Sequence, residues 1–197
     1  MIFELIDQYW VEALAAILAI IYLLLAVQQD VKCWSAAILS SSLYLYVMYS
    51  AGLYMEAYLQ IFYIIMAIYG WSQWYKPKSE EQVFVVRTWK INQHFLAICL
   101  ILSMAYLSGS LLNIYTNAAF PFIDSLTTWG AIFATYMVAK KLLENWVYWF
   151  VIDSISVMLF MSRGLILTSL LFFIYLFIIY FGYKKWTKAR DEMNERI

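Results

Sequence analysis

The chain has 197 residues, 65% hydrophobic and 20% aromatic, and only 13% are charged, 13 Lys+Arg against 13 Asp+Glu. Soluble domains carry about 45–50% apolar and about 25% charged residues, so polar surface is too scarce here to cover a water-facing core. These proportions exclude an ordinary soluble enzyme, a disordered chain and a basic nucleic-acid binder, and they predict a polytopic membrane protein with short loops.

A helix crosses the hydrocarbon with roughly 20 residues. Glu4, Asp7 and Glu12 precede the first long apolar run, which is not the positive start of a signal peptide. That run predicts a span over 13–27, closed by Gln28-Gln29-Asp30. A second span is expected over 34–49, interrupted in hydropathy by Ser40-Ser41-Ser42, and a turn at Ser50-Ala51-Gly52 leads to a third over 54–74. The longest polar stretch follows, 75–93, with Pro77 and six charged side chains. Further spans are expected over 94–112, 123–138, 146–161 and 165–186, the first two separated by the polar segment 113–121. Of the seven, the second and fifth are the weakest in hydrophobicity. All-helical structure follows because lipid does not satisfy unpaired backbone groups. A transmembrane barrel needs alternating segments of about ten residues, and the run 164–183 does not alternate.

Seven crossings put the termini on opposite sides. Twelve of the 13 Lys and Arg, among them Lys32, Arg87, Lys140 and Lys184, then share the C-terminal side, and Arg163 stands alone on the other. This bias predicts the N-terminus outside and the C-terminus cytoplasmic.

A single constant offset, the one that sets Trp34 on Trp146, lays the second and third spans on the sixth and seventh without a gap. Gly52-Leu53 then falls on Gly164-Leu165, Tyr63 on Tyr175, Gly70 on Gly182 and Trp74 on Trp186. Shared membrane composition explains some of this. Glycine is scarce, however, and four of the six glycines pair at this one offset. The expected organisation is a single membrane domain, 1–197, with three-helix units at 12–74 and 123–186 and a linker helix at 94–112. Three helices plus one is an even number of crossings, so the units enter the membrane the same way round. This 3+1+3 parallel repeat points to a transporter holding its solute between the two units.

Polar groups at membrane depth tend to face a cavity or a partner. Asp153 and Gln60 each either line a cavity or brace helices by a buried hydrogen bond. The repeat sets Ser41 against Asp153 and Phe172 against Gln60, so such a cavity would be asymmetric. Asp124 and Thr128, four apart, share a helix face, with Asp124 equally readable as an N-cap. Asn113 and Asn117 read as loop residues, and the lone His94, beside Asn92 and Gln93, as a cap or interface residue more readily than as a proton relay. The pairs Trp71/Trp74 and Trp146/Trp149, with Tyr148, read either as an aromatic belt or as rings that stack on a flat, cationic heterocycle. Cys33 and Cys99 form no ligand spacing, and with one histidine no metal centre is expected. Without a phosphate loop, a His–Glu zinc pair or a Ser–His pairing, no enzyme, no cofactor and no ATP-driven pump is expected. A channel would show no saturation and a scaffold no solvated cavity.

The segments LQIFYIIMAIYGWSQW, from Leu59 to Trp74, and ENWVYWFVID, from Glu144 to Asp153, together with Tyr175, Gly182, Tyr183 and Trp186, resemble the PnuC family of bacterial vitamin transporters. The resemblance implies the 3+1+3 architecture shared with SWEET proteins, residence in the bacterial inner membrane, and uptake of nicotinamide riboside, an NAD precursor, by facilitated diffusion. A cytoplasmic kinase would trap the product, and assembly as a homo-oligomer, a trimer, is implied. The site residues carried over are Gln60, Tyr63, Trp71 and Trp74 with Asn145, Trp146, Trp149 and Asp153, and Thr128 as a weaker candidate. Rings would stack on the pyridinium, and Gln60 and Asn145 would bond amide or ribose. Thiamine or riboflavin, carried by sister groups, are the alternative solutes.

Overall fold

The computed structural model describes residues 2–50, 54–75, 85–116, 120–162 and 166–195. The expected pairing of Gly52 with Gly164 and the expected positions of Pro77, Asn117 and Arg163 lie outside these residues. Among the described residues seven helices run in order: α1 (Ile2–Val27), α2 (Cys33–Ser50), α3 (Tyr54–Trp74), α4 (Ile91–Tyr115), α5 (Pro121–Ala139), α6 (Asn145–Ser162) and α7 (Ile166–Asn194). Helix α3 has the bounds its hydropathy predicts. α1, α4 and α7 outrun theirs, because a helix does not stop where apolarity does.

Helices α4 and α6, and the parts of α1 and α7 at 10–27 and 169–193, are long and apolar enough to cross a membrane by composition alone. Among the described residues α2, α3 and α5 fall short of that measure, although each is expected as a span, the second and fifth as the weakest. In α2 the reason is direct: Ser40 and Ser41 are buried in the protein, away from lipid. Helix α4 shows the converse pattern. Its buried positions are Ala97, Ile101, Ala105 and Gly109, while Phe95, Leu102, Leu107 and Ile114 point outward. Small residues inside and large apolar ones outside is the arrangement for close helix packing in lipid.

The chain divides into two units, Met1–Phe84 with α1–α3 and Val85–Ile197 with α4–α7. Within the first, α2 packs on both α1 and α3; within the second, α4 packs on α5, α5 on α6 and α6 on α7. Helix α4, expected as the linker helix, packs on α5 within the second unit. Gly109 receives Phe122 there, and the Trp129 indole donates to Ser108 Oγ at 3.1 Å.

The same packing recurs in both units at the offset read from the sequence. In the first unit the Trp34 ring lies on Gly70, so close that a β-carbon there would overlap it, and meets Trp74 edge-on, centroids 5.3 Å apart and planes at 82°. In the second, Trp146 lies on Gly182, where a β-carbon would come within 2.6 Å, and meets Trp186 at 5.3 Å and 89°. Buried positions also pair at this offset: Val47 with Leu159, Ala57 with Ser169, Ala67 with Ile179.

The correspondence extends into α1 and α5, where few residue identities signal it. Gln29 and Lys141, related by the same offset, are the non-glycine residues with positive φ among the described residues, 56° and 52°. After α1, Gln29 N donates to Ala26 O at 3.0 Å and Asp30 N to Leu25 O at 3.0 Å. After α5, Lys141 N donates to Val138 O at 2.9 Å and Leu142 N to Met137 O at 2.9 Å. Both are Schellman closures, normally built on glycine, here made with side chains that cost about 1–2 kcal/mol in this conformation.

Hydroxyls tie neighbouring helices: Ser40 Oγ of α2 donates to Ala15 O of α1 at 2.8 Å, and Ser169 Oγ of α7 to Val157 O of α6 at 2.9 Å. Bonds of this kind contribute about 0.6 kcal/mol in membrane proteins. Ser40→Ala and Ser169→Ala are accordingly expected to shift thermal unfolding only slightly, and a large loss in either would show that the hydroxyl holds more than this one bond.

Candidate functional site

The expected site residues fall on α3 in the first unit and on α5 and α6 in the second. On α3, Gln60 and Tyr63 are half-buried, and the Tyr63 ring meets Phe62 at 5.8 Å. Trp71 is 37% exposed, whereas Trp74 is buried against Trp34. The two members of that pair therefore differ: Trp71 keeps an open ring and Trp74 fills the interior of its unit. On α5, Thr128 and Asp124 are half-buried. The hydroxyl that bonds the backbone there belongs to Thr127, which donates to Ile123 O and Asp124 O at 3.1 and 3.0 Å.

Helix α6 carries the densest set. Asn145, Trp149 and Asp153 stand at i, i+4 and i+8 and so share one face. Asn145 and Asp153 are buried at 0% and 3% exposure, and Trp149 is half-buried. Trp146, beside them, is 2% exposed and holds α6 against α7 through Gly182 and Trp186. The close approach of α5 to α6 comes from Gly130, which leaves room for Ile152.

Polar atoms at the start of α6 are incompletely paired. Asn145 Nδ2 donates to Leu142 O at 2.6 Å, yet Asn145 Oδ1 is buried with no hydrogen-bond partner among the described residues. The same holds for Glu144 Oε2 before it and the Trp146 indole nitrogen after it. A buried, unmatched donor or acceptor costs about 1–3 kcal/mol, so three in consecutive residues mark a place where another molecule can supply the partners. In the first unit the Trp34 indole nitrogen is buried and unmatched at the position equivalent to Trp146.

One cluster has no precursor in the sequence reading. Glu144 Oε1 accepts from the Trp89 backbone N–H at 3.1 Å and lies 3.7 Å from His94 Nε2. His94 Nδ1 is 3.1 Å from the Tyr148 hydroxyl, and the His94 ring meets Trp89 at 5.4 Å. A short backbone bridge supports it: Arg87 N donates to Lys141 O at 3.0 Å and Leu143 N to Arg87 O at 2.8 Å. His94 thus joins α4 to Tyr148 on α6 and to Glu144 before it, partners remote along the chain at a separation no local pattern reports.

The arrangement offers aromatic rings, hydrogen-bond donors and acceptors, and one buried carboxyl. No group of three metal-ligating side chains occurs among the described residues. Aromatic rings with hydrogen-bonding groups beside them suit a flat, polar solute.

Comparison with known proteins agrees. Residues 9–188 match the family described as nicotinamide mononucleotide transporter. The chain belongs to this family, the PnuC transporters. The nicotinamide riboside transporter PnuC of Escherichia coli (strain K12) is 24% identical over 96% of this chain and 90% of its own length. The riboflavin/roseoflavin transporter RibM of Streptomyces davaonensis is 27% identical over 93% of this chain and 88% of its own. A crystal structure of the vitamin B3 transporter PnuC superposes with a TM-score of 0.73 at 21% identity, covering 97% of this chain and 86% of that one. As a PnuC family member the chain is a multi-pass protein of the bacterial inner membrane. It is a transport protein and not an enzyme, and it moves a small vitamin-like solute by facilitated diffusion.

Proposed function

We propose that the solute is nicotinamide riboside. The observation that carries this reading is the run of unmatched polar atoms at Glu144, Asn145 and Trp146: two acceptors and one donor, buried in consecutive residues. A carboxamide and ribose hydroxyls bring both donors and acceptors to such a place. In the second unit Asn145 and the Trp146 indole N–H would bond the solute, Trp149 would stack on its ring, and Thr128 and Asp153 would complete the contact. In the first unit Gln60 would hydrogen-bond and Tyr63 and Trp71 would stack, while Trp74 holds α3 in place from the interior. The recurrence of the Trp–Gly–Trp packing at one offset supports seven crossings built as two like-oriented three-helix units, α1–α3 and α5–α7, joined by α4. The distribution of Lys and Arg supports an outside N-terminus and a cytoplasmic C-terminus. A cytoplasmic kinase that phosphorylates the nucleoside would make uptake one-way, and assembly as a trimer accords with the family resemblance.

The test is equilibrium binding to the purified protein, with thiamine and riboflavin in parallel. Gln60→Ala and Asn145→Ala are each expected to weaken nicotinamide riboside by about 1–3 kcal/mol, roughly 5- to 150-fold, as buried hydrogen bonds are lost. Normal affinity and uptake in both variants, correctly inserted, would sink the assignment of these residues. A second reading, riboflavin, is favoured by the 27% identity to the riboflavin/roseoflavin transporter. Selective, saturable riboflavin binding would establish it instead.

A further inference from the structure

Asp153 is 3% exposed, at the middle of α6, and among the described residues it makes no hydrogen bond and no ion pair. The pairs His94–Glu144, Lys188–Glu192 and Arg190–Asp191 all form at helix ends or in the extension of α7. The described basic side chains, Lys32, Arg87, Lys90, Lys140, Lys141 and those after Tyr183, likewise lie outside the span that carries Asp153. Among the described residues, then, the chain brings no positive charge of its own to this carboxyl. An ionised carboxylate without a partner at membrane depth is costly, so the group must meet either a proton or a cation. The equivalent position of the first unit is Ser41, buried at 9% exposure and never charged. The carboxyl is thus not required by the packing common to both units; a small hydroxyl satisfies it.

We propose that Asp153 is the counter-charge for a cationic solute and selects a positively charged ring over an uncharged one of the same shape. The inference rests on the proposed carrier of nicotinamide riboside, whose pyridinium ring bears that charge, and it adds what separates this solute from the neutral isoalloxazine of riboflavin. Trp149, four residues before Asp153 on the same face, presents a ring to the flat surface of the cation, while the carboxylate offsets its charge.

The decisive comparison uses nicotinamide riboside and its reduced, uncharged dihydro form, which differ little in shape. Wild-type protein is expected to prefer the cation. Asp153→Asn is expected to weaken the cation at least about tenfold while changing the dihydro form less than about threefold, so that the preference collapses. Asp153→Glu should keep the preference. Asp153→Ser, the residue found at the matching buried position of the first unit, serves as a second variant should the amide disturb packing. Retention of the wild-type preference in Asp153→Asn would overturn the proposal and show that the carboxyl is protonated or structural. Parallel loss of both ligands in Asp153→Asn and Asp153→Ser would overturn it equally. Binding of neither ligand to the wild type would remove the carrier reading itself, an outcome distinct from an unchanged preference.

Discussion

Trp146→Ala is expected to cost about 3 kcal/mol of stability, and Trp34→Ala a similar amount in the first unit, since removing a large buried aromatic costs about 3–5 kcal/mol in a soluble core. Lipid is as apolar as the protein interior, so the part due to transfer from water shrinks here and lost packing remains, which sets the figure at the low end. Each ring does two things: it fills the notch over a glycine, Gly182 or Gly70, and it sets the edge of a second indole, Trp186 or Trp74. Gly182→Ala should itself be destabilising, by about 1–3 kcal/mol, because the new methyl would come within 2.6 Å of the Trp146 ring. The two changes are coupled. Trp146→Leu combined with Gly182→Ala should cost less than the sum of the separate substitutions. Thermal unfolding in detergent measures all of these. Strict additivity would show that ring and glycine do not pack as described.

Lys141→Pro is the second large effect. The proline ring locks φ in the negative range, whereas Lys141 sits at a φ of 52°. The substitution also deletes the N–H that Lys141 gives to Val138 O. A loss of about 3 kcal/mol or more is expected, enough to reduce the yield of folded protein. Lys141→Gly should act in the opposite sense. Relief of about 1–2 kcal/mol of left-handed strain outweighs glycine's entropic cost of about 0.5–1 kcal/mol, giving a protein between unchanged and about 1 kcal/mol more stable. Gln29 should behave alike under both substitutions. Unfolding midpoints of the four variants decide the matter, and tolerance of proline at either position would contradict the closure.

Hydropathy located the seven helices found among the described residues because polar clusters mark their ends, although α2, α3 and α5 lack the apolar length that by itself demands a membrane-spanning helix. The internal correspondence was legible wherever residue identity survives, as at Trp34/Trp146 and Gly70/Gly182. It was invisible at Gln29/Lys141, where two unlike side chains share a conformation and no glycine advertises it. The tryptophans show the other limit. Spacing on α3 and α6 tells which rings share a face but not what that face meets. Trp71 and Trp74 look alike in sequence, and only the presence of Trp34 on the neighbouring helix draws the second of them inward. Burial of Asp153 could be expected from its depth in a span. Its lack of any polar partner among the described residues could not, since that depends on every helix packed around it. The cluster of Glu144, His94, Tyr148 and Trp89 was hidden for the same reason, being assembled from segments far apart in the chain.

The perpendicular indole pairs also determine what light will report. Four of the nine tryptophans, Trp34, Trp74, Trp146 and Trp186, are shut inside the units and lie close enough in pairs to exchange excitation. Their emission should be blue-shifted and insensitive to aqueous quenchers. A change in intrinsic fluorescence when solute is added would then come from Trp146, through its indole N–H, and from the remaining five, of which Trp71 and Trp149 are the ones placed to produce it. Single replacement of either by phenylalanine turns the native chromophores into a residue-specific optical readout, with no external label.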